Sequence, residues 1–101
     1  MNIVDSLYIN NNNDNKEAIY SFRMIRENFN VGQAFGIEVE RQDLIQGIVV
    51  KIERDLISGI SNKEEKVREL LNLVYKHQVS PIHLVDILGE YVDNYVSDFN
   101  I

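Results

Sequence analysis

Apolar positions recur at helical spacing through most of this chain. Ala18, Phe22, Ile25 and Phe29 stand at i, i+4, i+7 and i+11, with Ile19 widening the stripe, and predict a helix over residues 16–29. Residues 30–40 hold Gly32, Gly36 and a brief alternation, Ile37-Glu38-Val39-Glu40, and read as a connection with a short extended piece. From Arg41 the period resumes with Leu44, Ile45, Ile48, Val49, Ile52, Leu56 and Ile57, and stops at Ser58-Gly59, where glycine can supply a left-handed cap. The β-branched centre Ile48-Val49-Val50 would also suit a strand. The sustained i, i+4 spacing decides for a second helix.

A third helix opens at Ser61-Asn62-Lys63-Glu64, which matches the capping box, and presents Val67, Leu70, Leu71, Val74 and Tyr75 on one face. A fourth opens at Ser80-Pro81, a cap followed by proline at the first helical position, with a stripe of Leu84, Val85, Leu88, Tyr91, Val92, Tyr95, Val96 and Phe99. The expected fold is all-α: a small antiparallel four-helix bundle over residues 16–101, preceded by a short N-terminal segment. Within residues 1–15, Ile3 to Ile9 is compatible with a short helix or an extended piece. Asn10 to Asn15 reads as a loop, because asparagine side chains compete for backbone hydrogen bonds. The expected core is Phe22, Ile25, Ile48, Ile52, Leu70, Val74, Leu88 and Val92.

Composition narrows the function classes. The 101 residues suit one domain, and 45% hydrophobic content is enough for a core without metal or disulfide. The absence of cysteine excludes disulfide frameworks, thiolate zinc sites and cysteine nucleophiles. Residues 1–10 carry neither a positive charge nor an apolar run of signal-peptide length, and no stretch approaches a membrane span, so a cytoplasmic protein is expected. The net charge of −6 opposes contact with phosphate backbones, which bind through Lys and Arg. Much of that charge is local. Ser80 to Ile101 holds Asp86, Glu90, Asp93 and Asp98 and neither Lys nor Arg.

Asp86, Glu90 and Asp93 fall at i, i+4 and i+7, on one helix face, with Tyr91 and Tyr95 beside them. Together with Asp98 these residues form the expected partner-binding surface, since tyrosine next to carboxylates suits an interface anchor. His77, His83 and Asp86 lack a third firm ligand and fall short of a zinc pattern. Gly32 to Gly36 has neither the spacing nor the lysine of a phosphate loop, and no nucleophile elbow is present. No enzyme activity, metal or cofactor is expected. Asp5-Ser6-Leu7 resembles the attachment tripeptide of acyl carrier proteins, but only five residues precede Ser6 where that family has a whole helix.

The function expected from this pattern is a small acidic protein that occupies a basic partner, as bacterial immunity proteins block toxins, nucleases among them. The expected partner is a basic protein such as a toxin domain, with no nucleic acid and no membrane, the chain itself being a monomer or homodimer. Alternatives are a secretion chaperone or assembly adaptor, which would expose a larger apolar groove. A helix-turn-helix regulator built on the last two helices would have to carry acids into the major groove.

Overall fold

The computed structural model describes residues 2–29 and 32–99. It is a four-stranded antiparallel sheet with two helices, and it overturns the all-α bundle. The strands β1 (Asn2–Asn13), β2 (Lys16–Phe29), β3 (Gly32–Ile45) and β4 (Ile48–Ser61) lie in sequence order, β1-β2-β3-β4. They are followed by α1 (Glu64–Lys76), a 3-10 turn (Pro81–His83), α2 (Leu84–Tyr95) and a second 3-10 turn (Val96–Phe99).

Two of the four expected helices are strands, and the reason lies in the period. Tyr20-Ser21-Phe22-Arg23-Met24 alternates apolar and polar, so in a strand Tyr20, Phe22 and Met24 share one face. The register sets Phe22 between Leu7 and Val39, and Met24 beside Ile37. Each row of that face is therefore apolar across several strands. Phe22, Met24, Ile37 and Val39 are fully buried. Ile25, which the helical reading placed with Phe22, faces the other side of the sheet yet is buried there. The side chain of Phe29 lies outside the described residues.

Turn chemistry agrees with the strands. Gln46 and Gly47 both have positive φ, 52° and 79°, as the two-residue hairpin turn between β3 and β4 requires. Asp14-Asn15 makes the turn between β1 and β2, with Asp14 at φ 56°. Asn10 to Asn13 are accordingly not a loop. They pair with Lys16 to Ile19 as the end of β1, and their side chains stay exposed. Ser6 lies inside β1 opposite Arg23, far from any helix start.

Ser58-Gly59 does not cap a helix either. Between the pairs Ile37↔Ile57 and Phe35↔Ser61, β4 carries extra residues opposite Gly36. Gly59 adopts φ 61° there, and Gly36 lets the β4 backbone pass where a side chain would stand.

The two remaining helices form close to where the sequence places them, although the expected start at Ser80-Pro81 is a 3-10 turn without a Ser80 side-chain cap and α2 begins at Leu84. α1 buries Val67, Leu70, Leu71 and Val74 on the sheet, and α2 buries Leu84 and Leu88. The start of α1 differs from the capping box. Its N-cap is Lys63 with no side-chain cap, Ser61 Oγ accepts from the Lys63 N–H at 3.0 Å, and Glu64 pairs with Arg68 instead. Of the expected core, Phe22, Ile25, Leu70, Val74 and Leu88 are buried and Val92 is half-buried, while Ile48 and Ile52 are 68% and 53% exposed.

Lengths explain the exposed end. Strands of 14 residues run about 46 Å, whereas α1 with 13 residues spans about 20 Å, so the helix layer cannot cover the sheet. Burial falls away toward the two hairpin turns. Residues 10–16 and 45–52 are all exposed. The molecule is accordingly elongated, 53 × 23 × 18 Å.

Candidate functional site

α2 is amphipathic with a broad apolar stripe and packs only part of it. Leu84 and Leu88 are fully buried, Val92 and Tyr95 lie against the core edge, and Val85, Ile87 and Tyr91 remain 56%, 44% and 38% exposed. Asp86, Glu90 and Asp93 are exposed between them, and among the described residues none of the three makes a salt bridge. The acidic edge is thus accessible and interleaved with aliphatic side chains. Beside it a groove of about 600 Å³ runs between the end of α1 and α2, bordered by Leu73, His77, His83, Ile87, Glu90 and Tyr91. The two histidines share this groove, but no group of three or more His, Asp or Glu able to hold a metal occurs among the described residues.

The two tyrosines divide. Tyr91 is on the outer surface, whereas Tyr95 is half-buried beside the core, its ring 6.5 Å from that of Tyr91 and under Lys66 Nζ at 4.8 Å. Asp98 has another occupation. Ser61 Oγ donates to it at 2.6 Å, Lys66 Nζ lies 2.9 and 3.0 Å from its two oxygens, and Lys63 Nζ is at 3.8 Å. The Ser61 hydrogen bond and the Lys66 ammonium hold its carboxyl below the usual carboxylate range. Asp98 fastens the C-terminal turn to the corner where β4 meets α1. The structure therefore groups Asp86, Glu90, Asp93 and Tyr91 on one accessible surface and leaves Tyr95 and Asp98 as packing and anchoring residues.

The opposite face of the sheet carries a polar network. Glu40, 4% exposed, accepts from Arg54 Nε at 2.8 Å and Arg23 Nη2 at 3.2 Å, and Arg23 Nη1 also donates to Glu38 at 2.7 Å. Burial alone would raise the Glu40 pKa; hydrogen bonds from Arg54 and Arg23 outweigh it and hold the carboxyl below its ordinary value. Both oxygens are engaged. The cluster ties β2, β3 and β4 in register.

One surface escaped the helical reading entirely. Ile45, Ile48, Val49, Val50 and Ile52 are 45%, 68%, 44%, 56% and 53% exposed around the β3–β4 turn. The available signal was Gln46-Gly47, a turn dipeptide between two apolar runs.

Across residues 1–94 the chain matches DUF6514, described as a family of unknown function. The chain belongs to the DUF6514 family. No curated protein and no solved structure matches it. The DUF6514 match takes in the whole sheet, α1 and nearly all of α2, so Asp86, Glu90, Tyr91 and Asp93 lie within it and Tyr95 and Asp98 beyond it. No helix among the described residues is long and apolar enough to cross a membrane.

Proposed function

We propose that this DUF6514 protein is a small acidic protein-binding module that holds a basic partner against the outer face of α2, in the manner of an immunity protein masking a toxin surface. The observation that carries this reading is that Asp86, Glu90 and Asp93 have no ion-pair partner among the described residues while exposed Val85, Ile87 and Tyr91 flank them. Carboxylates in water attract a basic surface at long range, and the aliphatic and tyrosine groups supply the contact once water is displaced. The net charge of −6 acts in the same direction. A helix-turn-helix role would set these same acids against phosphate, which repels them.

The test is capture from the native host with the tagged protein and with the D86K/E90K/D93K variant, followed by kinetics on whatever is retained. A basic partner lost by the variant, whose association with the unmodified protein slows between about 50 and 300 mM salt, supports the reading. Unchanged affinity and salt dependence in the variant defeats it. Retention of an apolar, unfolded cargo by both proteins would favour the chaperone or adaptor alternative, for which the α1–α2 groove is the supporting feature.

A further inference from the structure

We propose that the outer edge of β4 is a self-association surface, where two copies of this chain pair their β4 strands antiparallel about a twofold axis at Ile52. β4 is the last strand in the sheet order, so the backbone groups along its outer side have no strand neighbour among the described residues. The segment Ile48–Ile52 is exposed throughout, and Ile48, Val49, Val50 and Ile52, with Ile45 across the turn on β3, are exposed aliphatic side chains on the two faces of that end. Ile82, 68% exposed, borders β4 at Ile52–Asp55 and adds to them. Exposed edge strands are normally blunted by polar groups, and β1 is, ending in Asn10 to Asn13. β4 ends in isoleucine and valine at the same end of the sheet.

Charge identifies both the occupant and the register. In an antiparallel pair, residues directly opposite point to the same face, so a twofold axis must pass through a residue facing its own copy. With the axis at Ile52, isoleucine meets isoleucine, and Lys51 of each copy stands opposite Glu53 of the other. Val50 meets Arg54, whose aliphatic stem can lie along it. An axis at Lys51, Glu53, Arg54 or Asp55 would set each of those charges against itself, which destabilises the pair. An axis at Val49 or Val50 would avoid like charges too but would bring no opposite charges together; among residues 49–55 only Ile52 does both. The tip is also neutral, Arg41 and Lys51 balancing Asp43 and Glu53, so the overall negative charge that keeps copies apart acts least here. A basic partner would find no net attraction at this edge. The irregularity at Val50, where β4 shifts register against β3, keeps the regular ladder short and the pairing reversible.

Sedimentation velocity of the full chain from about 1 to 500 µM reads the association directly. The expected result is a concentration-dependent rise from the 11.7 kDa monomer toward twice that mass. K51E and E53K alone should each weaken the dimer about tenfold or more, because each sets like charges opposite twice over. An equimolar mixture of the K51E and E53K chains should recover it as a heterodimer, since each then supplies the charge the other needs. Lys51 Nζ also lies 3.1 Å from Glu53 Oε1 of its own chain, and the two stand opposite Asp43 and Arg41 within the sheet, so thermal melts of each variant accompany the measurement. The mixture makes the result independent of those internal pairs. A single monomeric species over the whole range overturns the proposal, as does a dimer indifferent to both reversals, or a mixture no tighter than its components. None of these readouts involves Asp86, Glu90 or Asp93, so this proposal and the basic-partner reading stand or fall separately.

Discussion

Truncating Leu88 and Ile52 to alanine should give widely different losses of stability. Both positions belong to an apolar helical period in the sequence, so the bundle reading makes both of them core. The structure separates them: Leu88 is fully buried under α2 against the sheet, whereas Ile52 is 53% exposed on the edge strand. L88A removes a buried isobutyl group and leaves a cavity, a transfer plus cavity loss of about 2–5 kcal/mol. Against a total stability of about 5–15 kcal/mol this is a large fraction. At about 4–8 °C per kcal/mol for a chain near 100 residues, Tm should fall by at least ~8 °C. I52A removes a side chain already half in water, so its cost is mainly the edge-strand preference, below about 1 kcal/mol. Urea unfolding followed by far-UV circular dichroism and tyrosine emission measures both, at low micromolar protein where self-association does not contribute. Equal losses at the two sites would refute the strand assignment of β4. A loss under about 1 kcal/mol for L88A would mean that α2 is not docked as described.

Gly36→Ala should cost about 3 kcal/mol or more, because the new methyl meets the Ile57 carbonyl and the Ser58 Cα, both backbone, and the β3–β4 bulge must open. Gly89→Ala, in α2 with nothing within 4 Å of the added carbon, should instead raise stability by about 0.5–1 kcal/mol, and chemical denaturation of the two variants checks both signs. The Glu40 carboxyl has its pKa lowered on folding, so its contribution is fully present above the unfolded value, about 4.3, and is lost as pH falls through the folded one. E40Q should therefore be less stable at neutral pH and lose stability less steeply on acidification, and parallel acid limbs for the two proteins would contradict this. Asp98→Asn removes the ionic part of the Ser61, Lys63 and Lys66 contacts, so amide exchange should quicken in Val96–Phe99 while the α1 amides stay protected.

The helices and the strands were not equally legible, for a reason in the arithmetic of the two periods. Residues four apart share a face in a helix and in a strand alike, so Ala18 and Phe22, or Ile48 and Ile52, cannot choose between them. Steps of two discriminate, as do odd steps such as three and seven. In α1 the odd steps are filled, Val67 to Leu70 and Val67 to Val74, and all three residues are buried on one face. In β2 the odd step from Phe22 to Ile25 is also apolar, but it lands on the opposite face of the sheet, where Ile25 is buried between Ile3 and Gly36 of the neighbouring strands. That accident imitates a helix. The better signals were the alternation from Tyr20 to Met24, the β-branched run at Ile48, and the turn dipeptides Asp14-Asn15 and Gln46-Gly47. The candidate surface was partly readable for the same reason α2 was: Asp86, Glu90 and Asp93 keep helical phase and do emerge together. Asp98 could not be read, because Ser61 and Lys66 lie 37 and 32 positions away and no local pattern announces them.

The mismatch between long strands and short helices gives this fold its functional asymmetry. A sheet about 46 Å long under helices of about 20 Å must leave one end bare on both faces, whatever the sequence. At that end the chain makes opposite choices on its two outer strands. β1 closes with Asn10 to Asn13, side chains that water solvates well and that discourage pairing. β4 begins with Ile48-Val49-Val50 and then Ile52, a sequence that gains nothing from helix cover it never receives. Stability alone gives no reason for the difference, since polar residues at Ile48 and Ile52 would cost the monomer little at such exposure. An aliphatic edge that is dispensable for folding, framed by a lysine and a glutamate in self-complementary order, has contact as its physical use.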